Sequence, residues 1–163
     1  MRTLLLLRHA KSSHKDTAAD DHERPLNKRG KRDAARMGQL LVEQNLLPDF
    51  IIASSAKRCR KTAEQVIQSS KYRGEMRLTV TLYEANREKL LEAIGGLPND
   101  IQRPLLIAHN PGMEEFLEAI TGEYHPLSTA ALAHLEAPIV SWSELTAETR
   151  ATLRRLWQPR ELE

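Results

Sequence analysis

Two histidines and two arginines carry the chemistry this chain can offer: Arg8-His9 near its start, Arg58 in its first half, and His109 in its second. An imidazole near its ordinary pKa of about 6.5 is a usable nucleophile at pH 7, and a guanidinium presents a planar fork that pairs with phosphate oxygens. Such a set suits phosphoryl transfer. Neighbouring side chains of a strand point to opposite faces, so Arg8 and His9 serve one site only if the backbone is already leaving the sheet there. The Ala10-Lys11-Ser12-Ser13 that follows allows that turn. Taken alone, the Arg8-His9 pair equally suits a strand end facing water, and a shared site requires elements that deliver the other two groups to the same place.

Each group follows a short apolar run. Leu4 to Leu7 is too short to span a bilayer and reads as a buried strand ending at Arg8. Phe50-Ile51-Ile52-Ala53 is a second such strand, ending in Ser54-Ser55 before a helix that carries Arg58, Arg60 and Lys61 in its first turns and Ala63, Val66 and Ile67 inward. Leu105-Leu106-Ile107-Ala108 is another, with His109-Asn110-Pro111-Gly112 at its end; Pro111 suits the first turn of a helix Met113 to Ile120 and Asn110 its cap. Between them lie a helix over 28–42 with Asn27 as N-cap and Ala34, Met37, Leu40 and Leu41 inward, a third strand over 78–82, and a helix over 87–94 closed by Gly95-Gly96. Residues 130–135 suit helix or strand; so do 146–156, and pairing of 130–135 with an edge strand at 153–157 is the arrangement we favour. Strands alternating with helices predict a three-layer α/β/α sandwich with a mainly parallel sheet, which binds ligands at the carboxyl ends of its strands. Arg8, His9, Arg58 and His109 would converge there.

Composition narrows the possibilities. The 163 residues fit a single domain, and 24 Lys+Arg against 22 Asp+Glu with 4% aromatics give little support for nucleic-acid binding. The cationic first turn of the first helix opposes the helix dipole; a solvated face and a basic rim that attracts an acidic ligand explain it equally well. The single Cys59 excludes an intrachain disulfide and fits a reducing compartment; beside Arg58 and Arg60 its thiol pKa could be lowered, although a small helix residue is the plainer reading. No signal peptide or membrane span is evident, so cytoplasm is expected. The loop from His14 to Glu23 holds two His and three Asp, yet nothing apolar fixes these residues, so a loop over the mouth of a site is preferred to a metal centre. His134 reads as a packed or edge histidine.

The segments Leu6-Leu7-Arg8-His9-Ala10-Lys11-Ser12, Arg24-Pro25-Leu26-Asn27 with Gly30, Ser54-Ser55-Ala56-Lys57-Arg58 with Thr62-Ala63-Glu64, Leu82-Tyr83-Glu84-Ala85, His109-Asn110-Pro111-Gly112 and the tail Pro159-Arg160-Glu161-Leu162 together resemble the histidine phosphatase superfamily. Within that phosphoglycerate mutase-like superfamily they are similar to the short SixA-type phosphohistidine phosphatases. Ser55 departs from the family's usual Pro, a change in a turn that should leave the pocket intact. The resemblance implies one domain over 1–163 without a cap insertion, and an enzyme that needs neither metal nor cofactor. His9 would be the nucleophile, with Arg8, Arg58 and His109, aided by Asn110 and Ser12, on the phosphoryl oxygens. Glu84, or less readily Asp21, would be the acid for a poor alkoxide leaving group. With few residues between the second helix and the third strand, no lid is expected, which suits a phosphohistidine-bearing protein such as a phosphotransfer domain or histidine kinase in a phosphorelay. A small phosphomonoester as substrate, a non-catalytic phosphate-binding module and a metal-dependent hydrolase are the alternatives, in that order.

Overall fold

The computed structural model describes residues 1–15 and 20–163. Six strands, β1 (Arg2–Arg8), β2 (Phe50–Ser54), β3 (Met76–Thr79), β4 (Pro104–Ala108), β5 (Leu132–Ala137) and β6 (Thr152–Trp157), form one sheet in the order β3-β2-β4-β1-β5-β6. Four helices, α1 (Lys28–Glu43), α2 (Lys57–Ser70), α3 (Arg87–Gly95) and α4 (Gly112–Thr121), cover its two faces. β1, β2, β3 and β4 run parallel, while β5 and β6 add antiparallel strands beside β1. The alternating strand and helix pattern thus folds as the α/β/α sandwich that the sequence predicts.

The run of leucines in β1 is explained by burial on both faces. Leu4 and Leu6 pack with Leu90, Ile94, Phe116, Leu117 and Trp142 on the side of α3 and α4, whereas Leu5 and Leu7 pack with Met37, Leu41, Cys59, Ala63 and Val66 on the side of α1 and α2. A central parallel strand has no solvent face, so alternation disappears and a continuous apolar run replaces it. Each fully buried Leu contributes about 1.5–3 kcal/mol. The first polar side chains beyond such strands are held at the rim of the sheet. None of the helices among the described residues is long and apolar enough to cross a membrane.

Two boundaries differ from expectation. The third strand lies earlier, at Met76–Thr79, and Val80–Leu82 is a 3-10 turn in which the Thr79 hydroxyl accepts a hydrogen bond from the Thr81 amide at 3.2 Å. Leu78, Val80 and Leu82 alternate like a strand, but only Leu82 enters the core; Leu78 and Val80 stay exposed on the sheet edge. In the last third, β5 starts at Leu132 rather than at residue 130, where Ala130 has a left-handed backbone, and pairs Leu132 with Trp157 and His134 with Arg155. His134 is a half-buried strand residue outside the cavity described below.

Two glycines set how closely helix starts approach the loops beyond the strands. A Cβ on Gly30 of α1 would lie 2.1 Å from the Lys11 carbonyl oxygen, and one on Gly112 of α4 would lie 2.0 Å from that of Ala85. Both neighbours are backbone and cannot move aside as a flexible side chain would. Gly112→Ala is expected to lower stability by about 1–3 kcal/mol, read as a fall in thermal midpoint, because the Glu84-Ala85 turn must shift.

Candidate active site

The carboxyl ends of β1, β2 and β4 meet above the centre of the sheet, and Arg8, His9, Ser12, Arg58, Glu84, His109 and Asn110 all border one cavity of about 280 Å³. The His9 and His109 rings are 5.3 Å apart between centroids, tilted by 58°. Every residue that the sequence nominated as a site residue is on this cavity, although not every one has the contacts expected of it.

His9 is nearly buried, and its Nδ1 lies 2.8 Å from the Ala10 carbonyl oxygen. A carbonyl only accepts, so Nδ1 carries the hydrogen and Nε2 keeps its lone pair. The Ala10 peptide that fixes this tautomer is itself held: its N–H donates to Thr62 Oγ1 at 3.0 Å, and the Thr62 hydroxyl donates to the Arg58 carbonyl at 2.7 Å. Burial pushes His9 down to about 4, and the charges of Arg58, Arg8 and Arg24 add to that against the opposing Ala10 hydrogen bond. At pH 7 the ring is neutral and nucleophilic.

His109 has the complementary tautomer. An Arg58 Nη2 hydrogen points to its Nδ1 at 3.4 Å, so the other nitrogen, Nε2, donates to Ser54 Oγ at 2.8 Å. Burial, then His9 and Arg58, push His109 down to about 3. Arg58, 4% exposed, donates from Nη1 to the Asp21 carbonyl at 2.9 Å and from Nη2 to the Asp21 carboxylate at 3.2 Å. Asp21 also accepts from Arg24 Nε at 3.1 Å and from the Tyr83 hydroxyl. The Tyr83 hydrogen bond, followed by Arg24 and the Arg58 charge, holds the Asp21 carboxyl at about 2, so the residue weighed as a proton donor is an ionised anchor for Arg58.

Arg8 donates from Nη1 to the Leu127 carbonyl at 2.9 Å, and burial lowers its pKa while Glu114 opposes the shift. Asn110 does not cap α4, whose N-terminal flank is Pro111; its Nδ2 instead donates to the same Leu127 carbonyl at 3.0 Å. Glu114 fixes that carbonyl by accepting the Leu127 amide at 2.7 Å. The Nε atoms of Arg8 and Arg58 are buried without a partner among the described residues. Arg8, Arg24 and Arg58 on one cavity beside neutral imidazoles suit an anion with several oxygens.

Sequence reasoning assigned no role to Arg24, Tyr83 or Glu114. Arg24 Nη1 donates to Ser12 Oγ at 2.8 Å, and the Tyr83 ring stands edge-on to His109 at 5.6 Å. The signal for Arg24 and Tyr83 was their place within the quoted motifs; Glu114 carried none. Glu84 is exposed on the cavity rim with a left-handed backbone at φ 52°. Cys59 is the small buried helix residue that the sequence favoured: burial pushes its thiol up to about 12, so its cationic neighbours do not activate it. In the loop weighed as a metal centre, Asp16 and the rest of 16–19 lie outside the described residues. Of the remainder, His22 shares a hydrogen bond with Ser55 Oγ at 2.9 Å, a contact that a proline at position 55 could not make. Among the described residues no three His, Cys, Asp or Glu side chains converge on a common point.

The sequence pattern of the histidine phosphatase superfamily (branch 1) matches residues 4–103, and the chain belongs to that superfamily. Over its whole length it resembles SixA-type members. A candidate phosphohistidine phosphatase SixA from Agrobacterium tumefaciens superimposes with a TM-score of 0.84 at 28% identity, covering 97% of this chain and 98% of that one. The protein histidine phosphatase SixA complexed with tungstate shares the fold, with a TM-score of 0.84 at 20% identity and 99% of each chain covered. An uncharacterised chloroplastic protein of Arabidopsis thaliana is 34% identical over 90% of this chain and 71% of its own.

Two predictions rest on this geometry. Folding holds His9 at about 4 and His109 at about 3, below the 6.5 of an exposed imidazole, so the unfolded chain binds more protons in between. The stability contributed is complete above pH 6.5 and is lost as pH falls through those folded values. Thermal midpoints should drop as pH is lowered from 6.5 towards 4, with a shallower slope in His9→Ala. Glu114→Ala should release Leu127 and misplace Arg8 and Asn110, reducing phosphatase kcat/KM by roughly tenfold to a hundredfold, whereas Glu114→Gln, which keeps an acceptor, recovers most of it.

Proposed function

We propose that the chain is a metal-independent phosphohistidine phosphatase that acts on a protein partner through a phosphohistidine intermediate of its own. His9 Nε2 attacks phosphorus and the imidazole of the substrate leaves with the electrons of the broken P–N bond, taking up a proton from solvent. Water then cleaves the His9–phosphoryl bond to give inorganic phosphate. Arg8 and Arg58 bind the phosphoryl oxygens through their free N–H groups and stabilise the charge that grows on them in the transition state. His109, neutral and facing the site with the Nδ1 that accepts from Arg58, would take a proton there to act as a further donor only once a phosphate dianion beside it offsets the cationic neighbours. The Ser12 hydroxyl still has its hydrogen to donate, since its oxygen is the acceptor for Arg24.

The observation that carries the choice of substrate is the state of the two acids. Asp21 sits at about 2 and has no proton to give, and Glu84 stands exposed at the rim. An alkoxide is a poor leaving group and needs a general acid, whereas imidazole departs far more readily. Residues 71–75, which join α2 to β3, lie at the amino ends of the strands, where the Glu75 carbonyl accepts from the Ile51 amide, and do not border the cavity, so the choice of substrate rests on the two acids and not on the length of that turn. We read the chain accordingly as one catalytic domain of a cytoplasmic enzyme that serves phosphorelay proteins.

The presence of Glu84 on the cavity wall favours a second reading, a small-molecule phosphomonoesterase. The experiment that separates the two mixes the purified protein, in EDTA, with a phosphohistidine-bearing phosphotransfer domain and in parallel with alkyl phosphates. Wild type should dephosphorylate the domain and His9→Ala should not, while Glu84→Gln keeps that activity. Turnover of alkyl phosphates alone, abolished by Glu84→Gln, would replace the proposal with the second reading; restoration of activity only by added metal would overturn the metal-independent mechanism.

A further inference from the structure

The cationic start of α1, which the phosphoryl site does not use, borders a second depression. This groove, of about 520 Å³, has Pro25 and Leu26 at its base and Lys15, Lys28, Arg29 and Lys31 around it. It shares a wall with the catalytic cavity. Ser12 faces the cavity and Ser13 the groove, Arg24 faces the cavity and Pro25 the groove, and the isolated bridge between Ser12 and Leu26 joins the two segments. The Ser13 amide donates to the Pro25 carbonyl at 2.8 Å and the Asn27 amide to the Lys11 carbonyl at 3.0 Å, so the wall is fixed. Arg29 is 3.4 Å from Asp33, but among the described residues no carboxylate lies within ion-pair distance of Lys28 or Lys31. Among the described residues no acidic or aromatic side chain lines the groove.

We infer that this groove docks an acidic segment of the phosphorylated partner, on the chain flanking its phosphohistidine. The inference rests on the phosphohistidine reading above and extends it from the phosphoryl group to the surrounding polypeptide. An apolar base with cations around it takes an aliphatic side chain and carboxylates together, which a peptide offers and inorganic phosphate does not. Single-stranded nucleic acid is anionic too, but its sequence-tolerant binding depends on aromatic platforms for its bases, and among the described residues the groove has none. Exposed charges of this kind act on encounter and on KM more than on the chemical step. A partner whose phosphohistidine is bordered by Asp and Glu is therefore selected before His9 attacks.

The test compares wild type with Lys28→Glu/Lys31→Glu. Both residues are exposed and sit in the first turn of α1, where acids suit the helix dipole better than lysines, so the variant folds. Three substrates are offered: free phosphohistidine, a phosphohistidine peptide with Glu-rich flanks, and the same peptide with Ser/Gly flanks. Wild type should prefer the acidic peptide by about tenfold in KM, the preference should vanish in the double variant and at high salt, and turnover of free phosphohistidine should stay unchanged. Equal rates on both peptides, or a loss spread over all three substrates, would overturn the docking site. Fluorescence anisotropy with the unphosphorylated Glu-rich peptide keeps the two claims apart. Salt-sensitive binding that the double variant loses supports the groove even if wild type hydrolyses no phosphohistidine. Absence of that binding, or tighter binding of a single-stranded oligonucleotide, would overturn it.

Discussion

Arg8, Arg24 and Arg58 border one small cavity beside two imidazoles, and like charges at low effective dielectric repel strongly. The cluster is tolerable because its members are placed in different states. Both imidazoles stay neutral, held at about 4 and about 3, while the guanidinium hydrogens are taken by acceptors that cost no further positive charge: the Asp21 carboxylate and the carbonyls of Asp21 and Leu127. Two Nε donors are left over. With three guanidiniums on the cavity and one carboxylate bound to two of them, the resting site is under-neutralised, and an anion carrying several oxygens relieves the repulsion.

That arrangement depends on backbone precision at the sheet rim. The buried leucines of β1 fix where Arg8 emerges, and the close approach of Gly30 to Lys11 and of Gly112 to Ala85 fixes how α1 and α4 meet the loops that follow. His9 is oriented by a single peptide: Ala10 accepts the Nδ1 hydrogen, while its own amide is tied through Thr62 to α2. Registering β1 against α2 in this way sets His9 and Arg58 in one frame. The tautomer of His9 follows from the fold and is not left to solvent.

What could be read in the sequence divides along physical lines. His9, Arg58 and His109 were legible because each stands just beyond a run of apolar residues, and a parallel sheet brings such ends together. The antiparallel pairing of β5 and β6 was legible only as the favoured of two options, since Ala-rich segments suit either structure. Asp21, Arg24 and Tyr83 were obscured because their roles are set by a polar loop without periodicity folding back over distant chain: Asp21 reaches Arg58, 37 positions away, and Tyr83, 62 positions away. Asn110 has the composition of a helix cap, yet the Leu127 carbonyl across the cavity competes for its amide. Cys59 was legible as a small helix residue, preferred over an activated thiol, and burial supports that reading. Its sequence neighbours are cationic, but on a helix they point elsewhere, and the thiol faces the core, where burial outweighs the nearby charge.

Asp21 links architecture to selectivity. To hold Arg58 against the other cations its carboxyl must be ionised, and the Tyr83 hydroxyl and Arg24 keep it so. A carboxylate committed to anchoring cannot also protonate a leaving group in the same state. A relative that cleaves phosphate esters must supply its acid elsewhere, and the residue here with access to the cavity is Glu84, on an exposed left-handed turn with nothing to fix its side chain among the described residues. An unfixed acid contributes little to a step that demands a proton at a defined position. Under the proposed reading, a preference for a P–N over a P–O bond would follow from how the guanidinium cluster is stabilised, because the Asp21 carboxyl that anchors Arg58 is kept ionised.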